Sequence, residues 1–596
     1  MKNLQILRSV ALKLSALVLS LGFGYHSHAQ NVDHACCTQT RLLAQSEDER
    51  VTPGRNSSDM AAQTEEVFRA DLMYKFLIGE FAKHNQLHDL SAQAFAELLR
   101  SYESPLFAEM AAEAANVARR VDLARQAAEV WYRLEPESVK AKFVYLTVML
   151  RNNQFEIAEP IVREFFSSVE GDPDKKLQYV HDLVGAATDR ILAFDFYEEV
   201  TASVPDSYLK KVLLGQLAWR AGLTKSAIKY ADDAILIDAS SEQAVLLKAS
   251  ALRQLDVGQS IDFLTSYLDS HPDAGSIRAS AVGDLLSEER YEDAIPHLRQ
   301  LIEDEPANSN VRFTLALVLY EVGQYADAKD RVHVALSLGY EDRPAAYYQL
   351  GLIEEKLGSN ESAINWFKSV PKGDRYIEAQ TQLARLMANL DGVEPTIDYL
   401  KQKGAENPEH RIAFIELQGK VYLESGLIDQ YFLVLDQGLE TYPDHPSLLY
   451  SSAMAAERLG RIDLLEERLL RLIKVQPNNP QAFNALGYTL ADVTDRYDEA
   501  KIFLTRALEL SPDDPTIIDS MGWVDFKLKD YQSSLGLLEH AYELEKHPEI
   551  AAHLGEVLWV LGREDDAKSI WSDAVMKHPS NDVLFGDAKT TWRGLG

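Results

Sequence analysis

Asp519 to Pro579, DSMGWVDFKLKDYQSSLGLLEHAYELEKHPEIAAHLGEVLWVLGREDDAKSIWSDAVMKHP, states one pattern twice. In its second copy Leu554-Gly555 is followed by Leu558, by Ala567 twelve residues after the glycine, and then by Trp571, Ala574 and Pro579. Met521-Gly522, Ser534, Leu538 and Ala541 occupy the same places one step earlier, with Asp525 standing where the second copy has Leu558. Small residues at these places let two helices, and then the next pair, approach closely, and a proline closes the unit by removing a backbone donor. The spacing specifies packing rather than chemistry.

Followed toward the N-terminus, the Gly555 place recurs at Gly522, Gly487, Ala453, Gly419, Arg385, Gly351, Ala316, Val282, Ala249, Gly215, Val180, Leu146, Ala112 and Ile78. That is 477 residues in 14 steps of 33 to 35, the period of tetratricopeptide helical hairpins. Ala124 and Pro136, Ala227 and Ala234, Ala328 and Ala335, and Ala363 and Phe367 extend the motif. After Gly487 it continues through Ala500, Ala507 and Pro512 if one residue is inserted in the turn. The units at Val180, Ala249 and Arg385 are the weakest, and Arg385 breaks the small-or-apolar rule outright. No sustained alternation of β-branched residues suggests a sheet. The expected fold is all-α, a tetratricopeptide-repeat solenoid coiled as a right-handed superhelix over residues 61–579, with a capping helix in 580–596 that covers the last apolar face.

The first 29 residues have the three parts of an export signal: Lys2, Arg8 and Lys13, an apolar stretch from Leu14 to Phe23, then Ser27-His28-Ala29. Cleavage is expected before Gln30. The alternative, an uncleaved membrane anchor, has a short apolar stretch for spanning. Residues 30–60 are polar and broken by Pro53-Gly54, so they read as a tether. Cys36-Cys37 is a poor staple, because adjacent Cα atoms lie about 3.8 Å apart and disulfides usually want at least about 4.4 Å. Lipid attachment at Cys36 would want a different approach sequence from Asp33-His34-Ala35, of which only the alanine suits. A zinc site of His34 with the two cysteines lacks a fourth ligand nearby.

Of 596 residues 92 are acidic and 60 basic, a formal charge of −32, and losing residues 1–29 would make it −35. Nucleic acid is therefore not an expected partner. An acidic surface hastens encounter with basic proteins, and it also keeps outer helices soluble. No HExxH, GxxxxGK[ST] or GxSxG occurs, and no cofactor or metal is expected. His547 and His553 flank the last repeat junction and read as helix-surface or interhelical residues.

What remains is surface. In hairpins of this kind, residues offset by −6, −3, +1 and +4 from the glycine place line the inner face. In the last three units the larger ones are Gln481, Asn484, Tyr488, Asp519, Trp523, Phe526, Glu549, Glu556 and Trp559. Aromatics among acids and amides suit a groove that grips protein segments. The competing reading packs Trp523 and Trp559 between repeats.

The combination of LMYKFLIGEFAKHN at 72–85, LLGQLAWRAG at 213–222, YYQLGLIEEKLG at 347–358 and WFKSVPKGDRY at 366–376 with DSMGW and AAHLGEVLW resembles a known group. These are the exported tetratricopeptide adaptors of Gram-negative bacteria that bind carboxyl-terminal processing proteases. The resemblance implies a periplasmic, outer-membrane-associated, non-catalytic scaffold that brings cell-wall hydrolases to the protease. Typical members are lipoproteins, a point on which this chain departs. The alternatives are an envelope assembly scaffold for polysaccharide export or pilus biogenesis, and a transferase with an atypical site within the repeats.

Overall fold

The computed structural model describes residues 58–167 and 172–578. The export signal at 1–29, nearly all of the tether, Cys36-Cys37 with His34, Pro579 and the cap at 580–596 lie outside these residues. The described residues hold thirty α-helices and no strand. They divide into two compact units, one ending at Glu341 and one beginning at Asp342. Taken in order the helices make eight antiparallel pairs in the first unit and seven in the second. The first helix, Ser58–His84, begins within the stretch read as tether.

Each pair crosses where the glycine place predicted, because bulk on one helix is met by its absence on the other. A Cβ added at Gly351 would collide with the Phe367 ring, and one at Gly555 with the Trp571 indole. Those rings stand sixteen residues beyond the glycine. The same geometry corrects three of the fifteen assignments by one residue. In the first pair the crossing residue is Gly79, whose Cβ would lie 2.5 Å from Phe95, and not Ile78. In the fourth it is His181, buried and set edge to face with Tyr197 at 6.0 Å between ring centroids, rather than Val180. In the tenth it is Ala384, buried opposite Leu400, so Arg385 breaks no rule. Arg385 instead holds both oxygens of Glu355 at 2.7 Å.

The turn inside each pair has its own rule. Seven residues after the crossing residue, eleven of the fifteen pairs place a residue with positive φ, among them Gly222, Gly460 and Gly562. At Gly460 the amide bonds the Glu457 carbonyl, and the next amide, of Arg461, bonds Ala456 at 2.8 Å. This six-to-one closure caps the first helix while the residue after the glycine starts the second. Gln86, Arg119, Asn153, Glu289 and Lys529 adopt the same conformation despite carrying a Cβ. Pairs without it are those after His181, Ala249, Ala384 and Gly487, so the weak units in the sequence are largely those with a different turn.

Asp525, the departure from the pattern, is buried and satisfied by Lys501 Nζ at 2.6 Å and Ser533 Oγ at 2.5 Å. The tenth and thirteenth pairs apart, the second unit therefore repeats one plan with locally exchanged interior chemistry.

The turn makes a stability prediction of opposite sign at two equivalent positions. Gly460→Ala places a Cβ in the left-handed region and should cost about 1–2 kcal/mol, whereas Lys529→Gly removes that strain and should gain up to about 1 kcal/mol. Paired thermal melts of the two variants check it, the melting temperature falling in the first and rising in the second.

Candidate functional site

The nine residues expected to line a groove sit on the first helices of the last three pairs: Pro480–Val493, Pro515–Lys527 and Pro548–Val560. Each opens on proline at the first helical position, where a missing amide costs nothing. Asn479, Asp514 and His547 cap them through side chains that accept from the following backbone amides. The caps fix the rotational setting of each helix, and hence which side chains meet.

What they bring together is a polar and aromatic cluster across three helices. His553 Nδ1 lies 3.0 Å from both oxygens of Asp519, one repeat earlier, and both residues are buried. The imidazole stacks on Trp523 at 4.2 Å between centroids, and Trp523 in turn stacks on Phe526 at 5.1 Å. Trp523 Nε1 donates to Asp492 Oδ1 at 3.2 Å, and Lys527 Nζ stands 4.5 Å over the same indole. Tyr488 reaches past the middle helix and donates to Glu549 Oε1 at 3.1 Å, joining the first helix of one pair to that of the second pair beyond it.

Three of the nine residues are therefore not available to a partner. Asn484, Asp519 and Trp523 are 8%, 4% and 7% exposed. The expectation that they line an open groove is corrected. Repeat stacking presses these faces together, so the competing reading of Trp523 as interrepeat packing is the right one. Tyr488, Phe526, Glu549, Glu556 and Trp559 are half-buried, and Gln481 is exposed. Trp559 packs apart from the cluster, 6.0 Å from Trp571 with Lys568 Nζ 5.4 Å over its ring. Gln481 lies apart as well, in a recess with Tyr450 and Gln476, where its amide donates to Asp514 at 3.3 Å.

His553, Asp492 and Lys527 belong to the cluster although sequence reasoning gave none of them a part in the groove. The 34-residue separation of Asp519 and His553, one repeat, was the signal for the buried pair. Nothing in the spacing marks Asp492 or Lys527.

Burial works against a charged His553, but the Asp519 carboxylate, helped by Glu549 and Glu556, outweighs it and raises the imidazole pKa above its usual value. Burial and then the Glu549 and Asp492 carboxylates push the Tyr488 phenol far upward, so it stays a donor. Charges taken out of water require such pairing. Among the described residues no group of three His, Cys, Asp or Glu could hold a metal ion, and no helix is long and apolar enough to cross a membrane.

Residues 285–350, 344–370 and 450–515 match tetratricopeptide repeat families, so the chain carries tetratricopeptide repeats. It is similar to a TPR repeat-containing protein of Pseudomonas aeruginosa, 31% identical over 212 residues, which are 36% of this chain and 36% of that protein. The match thus spans just over a third of the relative's length. Among solved structures, a chain of the APC/C hetero-tetramer Cut9-Hcn1 is 14% identical and covers 84% of this chain and 99% of its own, with a TM-score of 0.28. A thermophilic TPR protein of Thermus thermophilus is 23% identical over 29% of this chain and 94% of its own, with a TM-score of 0.27.

Two measurements test the cluster. Trp523→Ala should cost about 3 kcal/mol or more, as emptying a buried aromatic site does, and urea unfolding followed by circular dichroism reads it. A histidine whose folded pKa is raised contributes stability that is fully present below its ordinary value of 6.5 and is lost as pH rises through the folded value. Between about pH 6 and 9, wild type should therefore lose more melting temperature than His553→Gln, which has no such proton to lose.

Proposed function

We propose that the chain is a non-catalytic, protein-binding scaffold of the periplasm that holds cell-wall hydrolases within reach of a carboxyl-terminal processing protease. The observation that carries the binding reading is the half-exposed set Phe526, Trp559, Glu549 and Glu556 on the last two first-helices. Aromatic edges supply contact area, and carboxylates beside them select basic segments. The family resemblance of the six quoted segments supports the protease and hydrolase assignment, and the arrangement of the first 29 residues supports export. An array holding both partners acts by raising the local concentration of one near the other, with no chemistry of its own.

Affinity capture from a periplasmic extract with the chain from Gln30 as bait, read by mass spectrometry, tests the reading. Recovery of a carboxyl-terminal processing protease together with cell-wall hydrolases is the expected result. Recovery of polysaccharide-export or pilus components without a protease would replace it with the assembly scaffold. Trp559→Ala should weaken hydrolase capture by roughly tenfold while leaving the melting temperature close to wild type, since about 1.4 kcal/mol is a factor of ten in affinity.

A further inference from the structure

Within each unit, the first helix of a pair meets the preceding pair through residues five before and two after its crossing residue. In the second unit Phe414 and Val421, Ile517 and Val524, and Ile550 and Val557 hold these places at 0–4% exposure. In the first pair, built on Gly79, the corresponding residues are Tyr74 and Phe81, and each is 65% exposed. Leu77, between them on the same side, and neighbouring Met73 are 55% exposed. The face by which later pairs within a unit are covered is here apolar, aromatic and bare among the described residues. A terminal repeat normally carries a polar outer face.

We propose that this face is the contact between two copies of the chain, packed antiparallel with the twofold axis at Leu77. The argument is self-complementarity. At about 100° per residue, pairing about Leu77 sets Tyr74 of one copy beside Phe81 of the other on one flank of the axis, and Met73 beside the aliphatic stem of Glu80 on the other. Such reciprocal matching is what a twofold interface requires of a single helix.

The chain's own N-terminal segment is a poorer cover. Residues 30–57 contain no phenylalanine, tyrosine or tryptophan, and their large aliphatic residues are only Val32, Leu42, Leu43 and Val51. Four large apolar side chains from each copy bury roughly 1,000 Å² in all, near the lower bound for a specific interface, so the association is reversible and concentration-dependent.

The test is sedimentation velocity on the chain from Gln30 from about 1 to about 100 µM, the range suited to so small an interface. The mass should rise from one chain toward two in wild type and stay at one chain in Leu77→Asp, whose exposed position leaves folding intact by circular dichroism. In a Cys36→Ser, Cys37→Ser background, Leu77→Cys should oxidise to a covalent dimer, while Glu97→Cys on the second helix of the pair should not. A single-chain mass across the range, dimerisation unaffected by Leu77→Asp, or equal cross-linking by Glu97→Cys would overturn the proposal.

Discussion

The close approach of two helices within each pair is the constraint on which the rest depends. Where the second helix presents a phenylalanine or tryptophan, the first must present glycine, because the ring occupies the space of a Cβ at Gly79, Gly351 and Gly555. Where the opposing residue is smaller, the crossing residue grows: Ala316 stands opposite Val332, Ala453 opposite Leu469, and Leu146 opposite Val162, all buried. At these crossings bulk on one helix is matched by its absence on the other, as dense packing demands, whereas His181 against Tyr197 brings two rings together edge to face.

Stacking of pairs uses different chemistry at different junctions. Most are apolar, but several contain a buried carboxylate held by a neighbouring pair: Asp284 with Arg253 and Ser260, Asp519 with His553, Asp525 with Lys501. Each such carboxylate gives up water, and only a well-placed cation or hydroxyl offsets that cost. Removing one partner leaves an uncompensated charge, so these junctions tolerate less variation than the apolar ones. A register error between pairs would strand the carboxylate: Asp519, three before Gly522, meets His553, two before Gly555, across a step of 33.

Much of the fold was legible because a helical array is read one period at a time. The 34-residue recurrence placed every crossing within one residue. At Ile78 and Arg385 the regular step overrode side-chain size, although Gly79 and Ala384 stood next to them, whereas at Val180 size gave no warning because His181 is the larger residue. Arg385 was the clearest warning, since a guanidinium cannot occupy a crossing. The candidate site was less legible. Offsets from the crossing residue say which way a side chain points but not how closely the next helix stands over it. Trp523 and Trp559 differ by three places in their offsets, and the first is roofed by His553 while the second faces Lys568.

That difference identifies where binding chemistry can reside in such a chain. At +1, Trp523 lies under His553 of the following repeat and is committed to stacking, whereas Tyr488 and Glu556 at the same offset stay half-buried. A side chain at +4 lies toward the edge of its helix, so Phe526 and Trp559 keep part of their surface even where their neighbours lose it. The buried layer then sets the position of the exposed one: Phe526 lies flat against Trp523, whose indole is held by a hydrogen bond on one edge and an imidazole on its face. Rigid support lowers the entropy lost when a partner segment packs on the aromatic edge. The carboxylate of Glu549 is likewise held, by the Tyr488 hydroxyl, with its second oxygen left to contact a cation. Under the proposed function, selectivity at this end of the array would depend on this buried layer as well as on the exposed side chains.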